Sequence, residues 1–195
     1  MTKKQALDLI AQGESATLEF KRDSLKPEQL AKEIVAFANQ KGGTIILGVE
    51  DDGTVSGIKR SKLQEWLMDC VCSRHIHPRI SPSYQEISIS PEITIALIAI
   101  AEGDSKPYVV RHNDREDIFL RHGNTTRIAT REQLVRLLAS GGLLKVESMP
   151  VPRTSLSSLD LARLENYLVF RGEPEIPKSK DGWTELLLQM GFLTE

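Results

Sequence analysis

The chain has 195 residues, with 25 Lys and Arg set against 27 Asp and Glu, so no overall basic excess announces a nucleic-acid partner. Hydrophobic residues make up 40% and aromatics only 5%, so a core can form and must be built mainly from Leu, Ile, Val and Ala. The longest apolar run, Ile93 to Ala101, is far short of the roughly 20 residues of a membrane-spanning helix. The N-terminus lacks a secretory-signal pattern, and Cys70 and Cys72 are too close to form a disulfide framework, so a cytoplasmic, membrane-free setting is expected.

Thr2 to Gln12 reads as a short helix stopped by Gly13. Thr17 to Lys21 alternates polar and apolar residues, which predicts a strand with Leu18 and Phe20 inward and Glu19 and Lys21 sharing the other face. Pro27 to Asn39 predicts a helix with Pro27 at its first position and a stripe of Leu30, Ile34, Phe37 and Ala38. Gly42 and Gly43 turn the chain into Thr44 to Val49, a continuous apolar run expected of a central strand. Glu50-Asp51-Asp52-Gly53 is a turn signal, and Thr54 to Ile58 is expected to return as the partner strand of a hairpin.

Ser61 and Gln64 have capping-box spacing and open a predicted helix through about Ser73, with Cys70 on its buried stripe. Two strands follow, near Tyr84 to Ser90 and Ile93 to Ala101, and then Tyr108 to Arg111 and Asp117 to Arg121 as another pair. Thr130 and Gln133 repeat the capping-box spacing before a helix ended by Gly141-Gly142. The expected organisation is a domain over 1–144, a Pro- and Ser-containing linker over 145–157, and a helical appendage over 158–195. The chain ends without a tapering polar tail, which suggests the start of a truncated C-terminal region. The fold class expected is α/β (α+β): a mixed sheet with flanking helices plus the appendage.

Charge is uneven along the chain. Residues 106 to 136 carry Lys106, Arg111, Arg115, Arg121, Arg127, Arg131 and Arg136 against Asp114, Glu116, Asp117 and Glu132. One basic face, or an ordinary solvated surface, follows from such a segment.

Glu14, Glu19, Lys21 and Asp51 form the candidate catalytic set. If the first strand lies near the turn that follows the central strand, three carboxylates and an amine converge. Hard oxygen ligands of this kind suit Mg²⁺ or Mn²⁺, which activates water and neutralises phosphate charge. A neighbouring lysine can stabilise a phosphoryl centre. The same residues are also what a half-exposed strand and an ordinary turn contain. Cys70-Val71-Cys72-Ser73-Arg74-His75-Ile76-His77 holds four zinc-type side chains at unsuitable spacing. No Gly-x4-Gly-Lys-Ser/Thr loop is present, so the residues offer no ATP motif.

Gly13-Glu14-Ser15-Ala16-Thr17-Leu18-Glu19-Phe20-Lys21 resembles the Glu-Ser-x-x-x-Glu-Phe-Lys signature of the Schlafen-type Alba domain. Ala36 to Asn39 with Lys41 to Val49 resembles its second signature, and Glu50 to Ile58 its third. Phe119 to Ala129 echoes the Tyr-x-Arg-x-Gly-x-x-Thr-x-x-Ala ending, so the likeness spans about residues 10 to 140. The resemblance implies a nucleic-acid-binding domain, of DNA or RNA, in a transcriptional regulator or helicase-like protein, although such domains have also been described as divergent ATP-binding ones. In animal Schlafens, two carboxylates of the first signature and one after the central strand form a metal-dependent ribonuclease site for structured RNA such as tRNA. Those positions correspond here to Glu14, Glu19 and Asp51. Animal enzymes pair two such lobes, so a homodimer is expected to supply the second. In longer bacterial regulators of this kind, a helical segment like 159–193 follows the domain.

Lys21, Arg22, Arg111, Arg121 and Arg127 are the expected phosphate contacts. Three functions stay open on these grounds: nucleic-acid binding in a regulator, a Mg²⁺- or Mn²⁺-dependent endoribonuclease, and a dimerisation or adaptor module.

Overall fold

A computed structural model of the chain describes residues 1–143, 156–172 and 176–190. The chain divides into two compact units, Met1–Leu144 and Lys145–Glu195. Most of the expected linker over 145–157 lies outside the described residues.

The first unit is built on a mixed sheet of strands β1 (Leu18–Lys21), β2 (Gly43–Leu47), β5 (Thr94–Ile100) and β4 (Ser83–Ser88), in the order β1-β2-β5-β4. β1 runs parallel to β2, while the other pairings are antiparallel. Helix α1 (Lys3–Gln12) covers one face, packing Ala6 and Ile10 against Leu18, Phe20, Ile46, Ile95 and Leu97. Helix α2 (Pro27–Ala38) covers the other, where Leu30, Ile34 and Phe37 meet Ile45, Leu47, Ile98 and Ile100. Strand alternation therefore sends Ile46 one way and Ile45 and Leu47 the other. Each fully buried side chain of this size contributes about 1.5–3 kcal/mol of burial. The expected fold class, a mixed sheet with flanking helices, is the one observed.

Thr2 caps α1, accepting from the Gln5 N–H while the Gln5 side chain accepts from the Thr2 N–H. Pro27 opens α2 as its spacing predicts. α2 stops because the chain turns at Gly42, whose φ of +74° suits glycine and whose Cβ position is 2.4 Å from the Ile100 carbonyl oxygen.

Two pairings depart from expectation. Thr54 to Ile58 does not return as a strand; only an isolated bridge joins Val49 to Val55, because β2 already has β1 on one side and β5 on the other. Tyr108–Arg111 and Asp117–Arg121 meet only where Val110 pairs with Asp117. Instead β6 (Val109–His112) pairs with β7 (Arg115–Asp117) and also with β3 (Ile76–His77), while β8 (Phe119–His122) pairs with β9 (Thr125–Ile128). Short turns at Asn113-Asp114 and Gly123-Asn124 create two small hairpins where the apolar pattern suggests one.

The helix expected from Ser61 begins at Leu63, without a capping box, after Lys62 in the left-handed region. It is α-wound in α3 (Leu63–Glu65), π-wound across Trp66–Cys72, and α-wound again in α4 (Ser73–His75). The wider winding shifts the buried stripe, so Cys72 rather than Cys70 enters the core. Burial pushes the Cys72 thiol up to about 11. Helix α5 (Arg131–Ser140) carries the Thr130/Gln133 capping box as predicted.

The second unit contains α6 (Leu161–Arg171) and α7 (Lys180–Gln189), packed on Leu168, Trp183 and Leu187. Among the described residues no helix is long and apolar enough to cross a membrane.

Candidate functional site at the end of the first strand

β1 is an edge strand, and its register decides where its acids point. Glu19 lies opposite Ile45 and Phe20 opposite Ile46, so Glu19 faces α2 while Phe20 faces α1. The alternation expected of Glu19 and Lys21 is correct. The face they occupy is covered, however, and Glu19 is 5% exposed.

Arg121 of β8 is the reason a carboxylate can be buried there. It is itself 4% exposed. Its Nη1 donates to Glu19 Oε2 at 2.6 Å and to Glu33 Oε2 at 3.3 Å, and its Nη2 donates to the Ser15 carbonyl at 2.8 Å. The guanidinium lies 4.7 Å from the centre of the Phe37 ring. Thr126 of β9 donates to Glu33, and Lys21 donates to Glu19 Oε1 and to the Phe20 carbonyl. Both oxygens of Glu19 are thus held by internal cations. Arg121, expected as a phosphate contact, is placed in the interior: its charge neutralises two buried acids and ties β8–β9 to β1 and α2.

Asn39 continues the same seam. Its side-chain amide donates to the carbonyls of Tyr108 and Phe119, and its oxygen accepts from the Tyr108 N–H at 2.7 Å. Gln40 donates to the Arg121 carbonyl at 2.9 Å. Asn39, at the end of the Ala-Phe-Ala-Asn stretch, and Gln40 after it therefore fix the backbone of the strand that carries Arg121.

Glu14 has a different environment. Among the described residues no strand pairs with the outer edge of β1, and Glu14 Oε1 accepts from the outward Phe20 N–H at 2.9 Å. Partial burial raises its carboxyl above the usual range, and the charges of Glu19 and Asp51 add to that shift; the Phe20 bond and Lys21 oppose it. Asp51 is exposed in the turn after Val49, where Asp52 makes the turn bond to Thr54. The Thr54 bonds hold the Asp52 carboxyl below its usual range.

Glu14, Glu19, Lys21 and Asp51 are therefore electrostatic neighbours, as the first strand and the turn require. Each Glu19 oxygen accepts from one cation, Glu14 has one oxygen committed to the strand edge, and among the described residues no three His, Cys, Asp or Glu side chains group closely enough to hold a metal ion.

Other predicted contacts are dispersed. Arg127 is exposed on β9. Arg111 is exposed on β6 and pairs with Glu116 at 2.6 Å. Arg22 is exposed beside Glu50, 3.7 Å away. Lys21, Arg22 and Asp51 line one cavity of about 420 Å³ with Lys32 and Glu33. Glu33, Lys32, Thr126 and Asn39 are residues the sequence reading missed. Glu33 had a signal: it falls three residues after Leu30 and four before Phe37, inside the apolar stripe of α2.

The sequence model of the family described as "Schlafen, AlbA_2" matches residues 14–130. Among solved structures, the solution NMR structure of the N-terminal domain of a "Putative ATP-dependent DNA Helicase RecG-related Protein" from Nitrosomonas europaea is similar to this chain. The identity is 23%, the TM-score is 0.50, and the match covers 67% of this chain and 93% of that one. This second likeness speaks for the fold.

Proposed function

The chain belongs to the Schlafen AlbA_2 family, and from that premise we propose that its first unit binds nucleic acid as the DNA- or RNA-contacting domain of a transcriptional regulator. The observation that carries the reading is the convergence of Lys21, Arg22 and Lys32 on one open cavity at the end of β1. Exposed Arg127 adds positive charge elsewhere on the same unit, where Arg111 is also exposed but paired with Glu116. Cations that meet phosphates release counterions, so binding should weaken steeply with salt, with a log–log slope of about −0.7 to −0.9 per contact. Titrating labelled RNA and DNA into the full chain across a salt series tests this. Absence of binding even at low salt ends the reading.

A second reading, an endoribonuclease acting on structured RNA such as tRNA with Mg²⁺ or Mn²⁺, draws on the mutual proximity of Glu14, Glu19 and Asp51. Its expected outcome is tRNA cleavage that Asp51→Asn abolishes while RNA affinity is kept. Equal cleavage by both proteins would dismiss it. A homodimer accompanies either reading as an expectation, checked by the mass of the chain in solution.

A further inference from the structure

The cavity lined by Lys21, Arg22 and Lys32 does not end at Arg22. A second cavity, of about 530 Å³, is lined by Arg22, Asp23, Ser24, Glu50, Ser56, Gly57, Lys59 and Arg60. The two share Arg22 and Ser24, so they form one groove between the β1–α2 loop and the 56–60 loop.

Charges in this groove are not equivalent. Asp23 is consumed internally: one oxygen accepts from the backbone N–H groups of Lys59 and Arg60, both at 2.7 Å, and the other faces Arg60 Nε at 3.4 Å. Arg60 also donates to the Asp23 carbonyl. Glu33 is consumed by Arg121 and Thr126. Among the described residues, Lys32 and Lys59 have no ion-pair partner, and Arg22 has only a loose one. The cations left available are therefore Arg22, Lys32 and Lys59, spread along the groove, with Lys21, itself bound to Glu19, at one end. Two further acids share the walls with them: exposed Asp51, and Glu50, which lies 3.7 Å from Arg22.

The aromatic rings nearby are already engaged. Arg60 lies 4.0 Å over the Trp66 ring and Lys32 lies 5.6 Å from the centre of Phe119. Single-strand binders that grip bases do so by stacking them on open aromatic faces. No aromatic side chain lines either cavity, so no open face is offered here. Each cavity has the size of a small-ligand pocket, which admits a nucleotide unit and not a duplex.

Resting on the nucleic-acid reading above, we propose that this groove is a track for the sugar–phosphate backbone of an unpaired strand, with Arg22, Lys32 and Lys59 contacting phosphates and with no base selection.

The test is fluorescence anisotropy on the full chain with labelled homopolymeric single strands of different base and with a duplex of matched length. Lys59→Glu is the main variant, since Lys59 is exposed and has no ion-pair partner among the described residues. Lys32→Glu is the second, checked for folding by circular dichroism. Lys4→Glu makes the same charge change on α1, which lies on the other sheet face. Each groove variant is expected to weaken single-strand binding at least tenfold and to flatten the salt slope by about one contact's worth, roughly 0.7. Lys4→Glu is expected to change affinity less than threefold, and homopolymers to agree within about fivefold. Equal effects of Lys59→Glu and Lys4→Glu, with wild-type binding intact, overturn the groove and leave the nucleic-acid reading standing. Tighter binding of the duplex, or strong base preference, overturns the recognition mode. No binding by the wild type overturns the earlier reading itself.

Discussion

Arg121 and Arg22 each stand beside a carboxylate, yet the two regions around them are built for different ends. Arg121 is sealed beneath β8–β9, with two acids, a carbonyl and an aromatic ring arranged about it. Arg22 is open, and its nearest acid is 3.7 Å away. A buried charge must be answered by fixed partners, since breaking such a set leaves an uncompensated ion. An exposed one is answered by water and can exchange partners at little cost. The sealed region therefore holds the fold together, and the open region is where a ligand can compete.

Removing Arg121 should do the greatest damage. Arg121→Met leaves Glu19 and Glu33 buried with only Lys21 and Thr126 to answer them, and about 3–5 kcal/mol of stability should be lost in urea unfolding. Replacing Glu19, Glu33 and Arg121 together by apolar residues of similar volume should recover much of that loss. A single variant that costs under about 1 kcal/mol would erase the contrast with Arg22.

Gly43→Ala attacks the same region through packing. A Cβ there would sit 2.4 Å from the Phe37 ring that supports Arg121, and 2.9 Å from the Thr17 carbonyl. The ring has to shift, at about 1–3 kcal/mol. A thermal midpoint equal to the wild type would show that Phe37 yields freely.

Asp23→Ala tests the wall of the open groove. It strips acceptors from two backbone N–H groups and from Arg60. The expected loss is about 1–2 kcal/mol, with Arg60 loosened over Trp66 and held only through the Asp23 and Leu25 carbonyls. Tryptophan fluorescence reports that loosening. An unchanged Trp66 environment would mean the 56–60 loop holds without Asp23.

How much of this was legible depended on whether the information was local. α2 announced itself through Pro27 and the Leu30-Ile34-Phe37 spacing, and α5 through Thr130 and Gln133, because caps and stripes are written within a few residues. The acids of β1 were legible as a pair on one face, since strand period is two. Their burial was not. The cation that permits it lies 102 residues further on from Glu19 and 88 from Glu33, in a segment that reads as basic surface. Nor was the phase of Trp66–Cys72 legible, because a helical stripe is read at α-helical spacing and the chain is π-wound there. The 54–58 segment looked like a strand on turn chemistry alone, whereas both edges of β2 were already taken by strands distant in sequence.

Glu14 stands between the two regions, bonded to the strand edge on one side and facing Asp51 and Lys21 on the other, and its ionisation gives the smallest and most diagnostic effect. Its carboxyl is raised in the folded chain, chiefly by burial, so the unfolded chain releases this proton first as pH rises. The protonated form's contribution is fully present below the unfolded value near 4.5 and is lost as pH climbs through the higher folded value. Glu14→Gln keeps an oxygen for the Phe20 N–H and cannot ionise. Variant and wild type should therefore be equally stable in acid, and the variant should become slightly the more stable towards neutral pH. Paired urea melts at the two pH values measure the difference directly, and every other titrating group cancels between the two proteins. If the variant instead loses stability at neutral pH, the Glu14 anion is being held by Lys21 and the strand edge more strongly than burial opposes it, and Glu14 belongs with Glu19 in the sealed region and not with Asp51 in the open one.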